Sequence, residues 1–336
     1  MDRIRISLCA LALLPLAFAV RAEDATPTPA ATVDLARLQV GVKSPPLWLF
    51  SKGDKKLVIL GTQLPLPESG VLVTASIQDY IRRSDVVLTG PGIRTGEGGG
   101  LLRGLTLASS MRSAQKNEGG RTLREVLPAD TYGRWQQLKA TYIGKDAGIE
   151  RQRPMYAAYA LYSAALKRNG LTDVPSLGVV IAKATRDAGL QRIDARYALA
   201  DDDLRRTLKQ FEVPAAADVG CMQRTLDALE AYLQYSPGAA EAWAVGDVRR
   251  YRDFEQRYQP IDGCWARLTN EAMGRGAGVD DPYGRVESTW LSALHAALQQ
   301  HETVFSTLPA RDLIEVTGLA KTLRDEGYSM TSLFVE

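Results

Sequence analysis

Two short, wholly apolar runs constrain the fold of this chain more than any other feature. Leu57 to Leu60 and Val86 to Leu88 contain no polar residue, so they lack the alternation of a strand that has one face in water. Strands of this kind are buried on both faces, which requires a sheet covered by helices on each side. We therefore predict an α/β fold.

The residues around these runs indicate how the first strands are connected. Leu47 to Ser51 is a further β-type run, and residues Lys52 to Lys55 between it and the first apolar strand have turn chemistry. This pattern predicts a β-hairpin. A helix over about residues 71–83 separates the two apolar runs. A strand, helix, strand unit of this kind predicts that the two apolar strands run parallel.

The middle of the chain, from about residue 120 to 275, has an almost wholly helical pattern. Met222, Leu226, Leu229 and Leu233 are spaced four, three and four residues apart, which places them on one helix face. Several prolines are predicted to act as stops between helices: Pro154, Pro175, Pro214, Pro237 and Pro260. We therefore predict a large helical insertion, within which residues 190–196 are short enough to form a strand.

The C-terminal residues return to alternating helix and strand. A helix that carries Trp290 and Leu294 precedes a strand at residues 303–308, and a helix at 317–326 precedes a final strand at 328–335. We expect a mixed sheet formed from the N- and C-terminal segments, with the first and last strands side by side.

The N-terminal residues have the three-part pattern of an export signal. Arg3 and Arg5 precede an apolar run from Ile6 to Val20, and small residues follow. We predict a cleavable signal peptide over residues 1–22. The apolar run is shorter than the roughly 20 residues of a spanning helix, so permanent anchoring is the weaker interpretation. We expect a flexible leader over residues 23–37, a single domain over 38–336, and a periplasmic or secreted mature protein without a transmembrane segment.

The charge balance of the mature chain excludes one class of partner. The full chain has a formal net charge of +2, but the signal peptide carries Arg3, Arg5 and Arg21 against Asp2 alone, so the mature chain is close to neutral. A neutral chain without a basic stripe produces no long-range field that gathers nucleic acid. We therefore predict no nucleic-acid partner.

Cysteine usage agrees with an oxidising compartment. Cys9 leaves with the signal peptide, so that Cys221 and Cys264 are the two cysteines of the mature chain. An even number of cysteines in an exported protein predicts one disulfide between them. Two buried, unpaired cysteines remain the alternative.

Both ends of the chain carry motifs of a known family. Pro46 to Phe50 and Val58 to Pro67 resemble the start of the TraB/PrgY/GumN family, which includes the Tiki proteases and is related to erythromycin esterase. The C-terminal residues agree with the family's spacing: Val304, Phe305, Leu313, Gly318, Leu319, Leu323, Arg324, Gly327 and Tyr328. Between the ends, Trp243, Gly246 and Asp247 resemble its Trp-x-x-Gly-Asp motif.

The resemblance implies a metal-dependent hydrolase site in active members. There a first strand ends in Gly-Thr-x-His, the next strand ends in Glu, and a second Gly-x-x-His follows the penultimate strand. Imidazole and carboxylate groups at these strand ends can hold a divalent cation that activates water. In this chain the first motif is Gly61, Thr62, Gln63 and Leu64, with leucine in place of histidine, and the glutamate falls on Thr89.

The second half of the family site also differs in this chain from the pattern of active members. The second glycine and histidine fall on Pro309 and Asp312, whereas the family arginine is matched by Arg285. Asp194 falls near a further acidic position of the family. Leucine has no lone pair and a threonine hydroxyl is a poor metal ligand, so we predict no metal and no cofactor. Arg285, Asp312 and Asp194 remain the candidate catalytic residues, and we expect an ion pair between Asp312 and Arg285.

Three hypotheses for the function follow. The first is a catalytically degenerate family member that has kept the cleft to bind a peptide, a glycan or a small ligand. The second is a hydrolase with a rearranged site that uses Asp312, Asp194 and Arg285. The third is a structural or interaction protein of the cell envelope that makes no use of the cleft.

Overall fold

The computed structural model of the protein describes residues 44–63, 65–67, 75–94, 112–173, 177–200, 203–204, 206, 213–257, 264, 268, 271 and 281–333. All of them belong to one compact unit. The predicted signal peptide, the predicted leader and Leu64 lie outside the described residues.

The described residues form ten strands, of which six make a central mixed sheet. The strands are β1 (Leu47–Lys52), β2 (Lys55–Thr62), β3 (Leu66–Pro67), β4 (Val86–Leu88), β5 (Ile93–Arg94), β6 (Leu171–Thr172), β7 (Gln191–Ile193), β8 (Tyr197–Ala198), β9 (Thr303–Pro309) and β10 (Ser329–Ser332). The central sheet has the order β10-β1-β2-β9-β4-β7, while β3 pairs with β6 and β5 pairs with β8.

Strand directions agree with the prediction from the sequence. β2, β9, β4 and β7 run parallel to one another, whereas β1 is antiparallel to both β2 and β10. Leu49 of β1 lies opposite Val58 of β2 and Thr331 of β10, so the first and last strands of the sheet are neighbours. Gly53 has a φ of 62°, which is the left-handed conformation that the tight turn of the β1–β2 hairpin needs. The predicted hairpin and mixed sheet are confirmed.

Ten helices accompany the strands in the described part of the chain. They are α1 (Ala75–Arg82), α2 (Leu123–Val126), α3 (Ala129–Tyr142), α4 (Pro154–Arg168), α5 (Leu177–Asp187), α6 (Ala215–Ala244), α7 (Val248–Arg257), α8 (Pro282–Gln300), α9 (Ala310–Glu315) and α10 (Gly318–Asp325). Two short 3₁₀ turns lie at Glu118–Gly120 and Gly148–Arg151.

Helices cover both faces of the sheet, as the apolar strands require. On one face, Val58 and Phe305 pack with residues of α1, α5 and α6. On the other face, Ile59 and Val304 pack with residues of α8 and α10. All four side chains are fully buried, and burial of one such side chain stabilises the fold by about 1.5–3 kcal/mol. The predicted α/β class is therefore confirmed.

The helical insertion has a core of its own, built by α3, α4 and α6. Its buried cluster contains the predicted face of α6, which consists of Met222, Leu226, Leu229 and Leu233. The predicted disulfide joins Cys221 of α6 to Cys264, with 5.6 Å between the two Cα atoms. Among the described residues, no helix combines the length and the apolar character that crossing a bilayer requires.

One predicted stop, Pro237, is wrong, because α6 continues through it to Ala244. Proline in a helix interior removes one hydrogen bond and costs about 3 kcal/mol. The residues on either side, Ser236, Ala239 and Ala240, are buried. Their packing against the rest of the insertion outweighs the local cost of the proline. A prediction from residue type alone does not include this packing.

Candidate functional site

The parallel strands end together at one edge of the sheet, and the family motif positions lie there. We call this place the carboxyl edge and define it by Thr62, Gln63, Thr89, Asp194 and Pro309, which lie at or directly after the ends of β2, β4, β7 and β9. Open α/β sheets usually bind ligands outside the carboxyl ends of their strands. The sequence motifs and the topology therefore indicate the same place.

The end of β2 is held from two sides. Thr62 Oγ1 donates a hydrogen bond to the carbonyl oxygen of Leu308 over 3.1 Å, which ties β2 to β9. Trp243 Nε1 donates to the carbonyl oxygen of Gly61 over 2.7 Å in a buried contact. A Cβ atom at Gly61 would lie 2.4 Å from the ring of Trp48, so only glycine fits. Gln63 is buried beside these residues.

The end of β4 is fixed by its own side chain and by a second tryptophan. Thr89 Oγ1 donates to Asp194 Oδ1 over 3.3 Å and accepts from the backbone N–H of Ala195 over 2.9 Å. Trp290 Nε1 donates to the carbonyl oxygen of Thr89 over 3.0 Å. Thr89 therefore joins the ends of β4 and β7.

Asp194 is the centre of an ionic network at the carboxyl edge. Arg196 binds its carboxylate in a bidentate manner, with 2.8 Å from Nε to Oδ1 and 2.6 Å from Nη2 to Oδ2. The Nε of Arg94 lies 3.9 Å from Oδ2. The hydrogen bonds from the Arg196 side chain, which outweigh partial burial, hold the pKa of Asp194 well below its usual range. Asp194 is therefore a permanent carboxylate at neutral pH.

Asp312 lies apart from this network. It is in the first turn of α9, and its Oδ1 accepts a hydrogen bond from Thr317 Oγ1 over 3.3 Å. Burial, which outweighs the Thr317 hydrogen bond and the nearby Arg311, raises the pKa of Asp312. Pro309, which stands in place of the family's second glycine, is the N-cap of α9.

Arg285 lies in the first turn of α8 and is exposed. Among the ion pairs of the described residues, none joins it to Asp312, so the expected pair is wrong. The turn between α9 and α10 instead places Thr317 beside Asp312, and its hydroxyl donates to the carboxylate. Asp194, Asp312 and Arg285 thus do not share one hydrogen-bonded site.

The described residues do not fit the metal that the family resemblance implies. Thr89 is neutral and its hydroxyl is already hydrogen bonded, while both oxygens of Asp194 are bound by Arg196. A hard divalent cation needs several oxygen or imidazole ligands that are free to coordinate it. No group of three or more His, Cys, Asp or Glu side chains suited to a metal occurs among the described residues.

Sequence reasoning missed Arg94, Arg196 and the role of both tryptophans. Arg196 stands two residues after Asp194, and an Asp-x-Arg spacing directly after a strand was a signal that could have suggested the pair. The resemblance did single out Trp243, but the bond to Gly61 spans 182 residues. The bond from Trp290 to Thr89 spans 201 residues. No local pattern predicts contacts at such separations.

Comparison with known proteins agrees with the motifs at the two ends of the chain. No curated protein and no solved structure matches the chain. The model of the TraB/PrgY/gumN family matches residues 46–332, which is most of the chain and includes every position of the carboxyl edge. The chain belongs to the TraB/PrgY/gumN family.

Proposed function

We propose that the mature protein is an exported binding protein of the cell envelope that has lost the hydrolase chemistry implied for active members of its family. Its ligand is a peptide, a glycan or a small molecule held at the carboxyl edge. The position agrees with the usual ligand site of open α/β sheets.

One observation carries this proposal: the side chain at the family's glutamate position makes hydrogen bonds within the protein. Thr89 Oγ1 donates to Asp194 and accepts from Ala195 N, which joins two strand ends. A neutral hydroxyl adds no negative charge to attract a cation. The strand ends remain together while the residue needed for the metal is absent, which favours binding over metal-dependent hydrolysis.

Export is supported by the N-terminal pattern and by the disulfide. Arg3, Arg5 and the apolar run from Ile6 to Val20 are typical of a signal peptide. The bond between Cys221 and Cys264 suits an oxidising compartment. Mass spectrometry of the protein recovered from the periplasm should give a chain that begins at Val20 or Glu23. Recovery of the intact chain from Met1 in the cytoplasm would contradict export.

A rearranged hydrolase is the second candidate, and one observation favours it. The raised pKa of Asp312 suits a general acid that must hold a proton. Asp194, which would act as its partner, is however bound by Arg196. An envelope interaction protein that makes no use of the carboxyl edge is the third candidate.

Two measurements separate these candidates. Calorimetric titration with zinc, manganese and cobalt should show no stoichiometric binding to the unmodified protein, because Thr89 and Asp194 offer no free ligand set. Native mass spectrometry of protein recovered from the periplasm should show a mass above that of the chain, and denaturation should remove it. Stoichiometric metal binding with metal-dependent hydrolysis would establish the hydrolase. Absence of any bound mass, with or without metal, would favour the interaction protein.

A further inference from the structure

Arg196 is held in one orientation at the carboxyl edge. Asp194 binds its Nε and Nη2, and Asp194 is itself fixed by Thr89 Oγ1 and by the backbone N–H of Arg196. A guanidinium group is a planar fork with five N–H donors. Because one side of the fork is fixed to Asp194, the direction of the other side is fixed as well.

The second side of this fork has no partner in the described part of the chain. Among the described residues, no acceptor lies within hydrogen-bond distance of Arg196 Nη1, and the side chain is 42% exposed. A preorganised guanidinium loses less conformational entropy when it binds a ligand than a free side chain does. Arg196 therefore offers oriented, charged donors to a group that approaches the carboxyl edge.

A second guanidinium faces the same carboxylate. Arg94 lies on β5, and β5 pairs with β8, the strand that begins directly after Arg196. Backbone bonds from Tyr197 N to Gly92 O over 2.8 Å and from Leu199 N to Arg94 O over 2.9 Å hold this pair of strands together. Arg94 and Arg196 thus both lie near the carboxylate of Asp194.

The pair lies where a ligand at the carboxyl edge would reach it. Along the chain β5 follows β4 and β8 follows β7. The helix α8, which carries Arg285 in its first turn, packs against β8 and β4. Planar guanidinium groups bind carboxylates and phosphates with two parallel hydrogen bonds. The geometry of the open guanidinium donors therefore favours an anionic partner group.

We propose that the ligand of this protein carries a carboxylate or a phosphate, and that Arg196, oriented by Asp194, binds this group. Arg196 supplies oriented guanidinium donors at an edge where the family resemblance implies a metal ion in active members. This inference rests on the proposed binding function and adds the chemical class of the ligand.

The test uses inorganic phosphate and acetate as probes of the full mature protein. Each is titrated at constant ionic strength, with sodium chloride as the reference anion, while the side-chain Nε–H signals of the arginines are followed by NMR. The signal that is lost in Arg196→Gln is the Arg196 signal. We expect it to shift in a saturable manner with at least one of the two probes, and the better probe identifies the anionic group.

Three variants make the result specific, and their affinity for the better probe is measured by calorimetric titration, because two of them lack the Arg196 signal. Arg196→Gln should weaken binding about tenfold or more, since it removes a charge-assisted, bidentate donor. Arg196→Lys keeps the charge without the fork and should give an intermediate affinity. Arg134→Gln is the matched control, because Arg134 is 38% exposed and pairs with Glu230 over 2.6 Å, as Arg196 does with Asp194. It should bind the probe like the unmodified protein.

Two outcomes of the titrations overturn the inference. The first is that neither anion shifts the Arg196 signal more than chloride does. The second is that Arg196→Lys and Arg196→Gln bind the probe as tightly as the control does. If Arg196→Gln does not fold, as judged by circular dichroism, the comparison of Arg196→Lys with the control decides the question. A bound ligand without an anionic group would also end this inference and leave the proposed function intact, whereas stoichiometric metal binding ends the proposed function.

Discussion

The carboxyl edge and the helical insertion satisfy their buried polar groups in different ways. At the edge, neutral indole N–H groups of Trp243 and Trp290 donate to strand-end carbonyls, and the charged pair of Asp194 and Arg196 is partly exposed. In the insertion, one ion pair is buried. Arg153 and Asp218, only 16% and 4% exposed, form a pair over 2.8 Å, and the carboxylate also accepts from the N–H of Met155 over 2.6 Å.

This difference shows where each region is vulnerable. A neutral hydrogen bond contributes about 1 kcal/mol and does not change with pH, whereas breaking a buried ion pair leaves an uncompensated charge. The sheet depends mainly on apolar burial and strand pairing. The insertion depends in addition on paired charges and on a covalent bond, so we expect it to fail first when either is removed.

Removal of Asp218 should have the largest effect. Asp218→Ala deprives the buried Arg153 guanidinium of its carboxylate and leaves the N–H of Met155 without its acceptor. We expect a loss of about 3–5 kcal/mol in the free energy of unfolding, measured by urea denaturation. The control is Glu230→Ala, which breaks the exposed pair with Arg134 and should cost less than about 1 kcal/mol. Equal effects of both substitutions would contradict the comparison.

Loss of the disulfide should have the next largest effect. The bond between Cys221 and Cys264 closes a loop of 43 residues in sequence separation. Loop-closure entropy gives an upper figure of about 4 kcal/mol for the stabilisation. Replacement of both cysteines by serine should lower the unfolding free energy by up to this amount and should increase amide hydrogen exchange in α6 more than in β2 or β9. Uniform exchange throughout the protein would show that the two regions do not differ in this respect.

A smaller change tests the sheet. A Cβ atom at Gly90 would lie 2.4 Å from Thr307 Oγ1 and 2.9 Å from the backbone oxygen of Thr307. Gly90→Ala should therefore separate β4 from β9 at the carboxyl edge and cost about 1–3 kcal/mol. Gly133→Ala in α3 is the control, because no atom lies within 4 Å of the added carbon. Gly133→Ala should leave the stability unchanged or raise it. The measurement compares the midpoints of thermal unfolding of the two variants.

The smallest effect is the pH dependence that arises from Asp194. Its pKa is lowered in the folded protein, chiefly by Arg196, so the pair stabilises the fold above the ordinary pKa of about 3.8 and this contribution is lost as the pH falls through the lowered value. Because the pair is partly exposed, we expect less than about 1 kcal/mol. The difference in unfolding free energy between unmodified protein and Asp194→Asn should shrink below about pH 4. A difference that is constant with pH would exclude this linkage.

The sequence predicted the central sheet well because its strands are long or uniformly apolar. β2 contains an unbroken apolar run, β9 is seven residues long, and the hairpin turn has a glycine where a positive φ is required. The strands β5 and β8 have only two residues each, too few for any periodicity. Their pairing depends on long-range contacts that no window of the sequence contains.

The strand ends that carry the family motif positions were predicted, but the partners of their side chains were not. Family spacing located the strand ends correctly, since Thr62, Thr89 and Pro309 all lie at the carboxyl edge. The partners of the charged residues were not predicted, because they depend on which rotamer each turn allows. Asp312 bonds to Thr317 and not to Arg285, and Asp194 is bound by the arginine two residues after it.

The hydrogen bonds from Trp243 and Trp290 also give the protein an optical probe of its own. Of its five tryptophans, Trp48, Trp243 and Trp290 contact the ends of β2 or β4, whereas Trp135 bonds to Glu150 in the insertion. Indole emission responds to the polarity and the hydrogen bonding around the ring. Any molecule that enters the carboxyl edge should therefore change the intrinsic fluorescence without a label, and a variant that keeps Trp290 alone would locate the signal at one strand end.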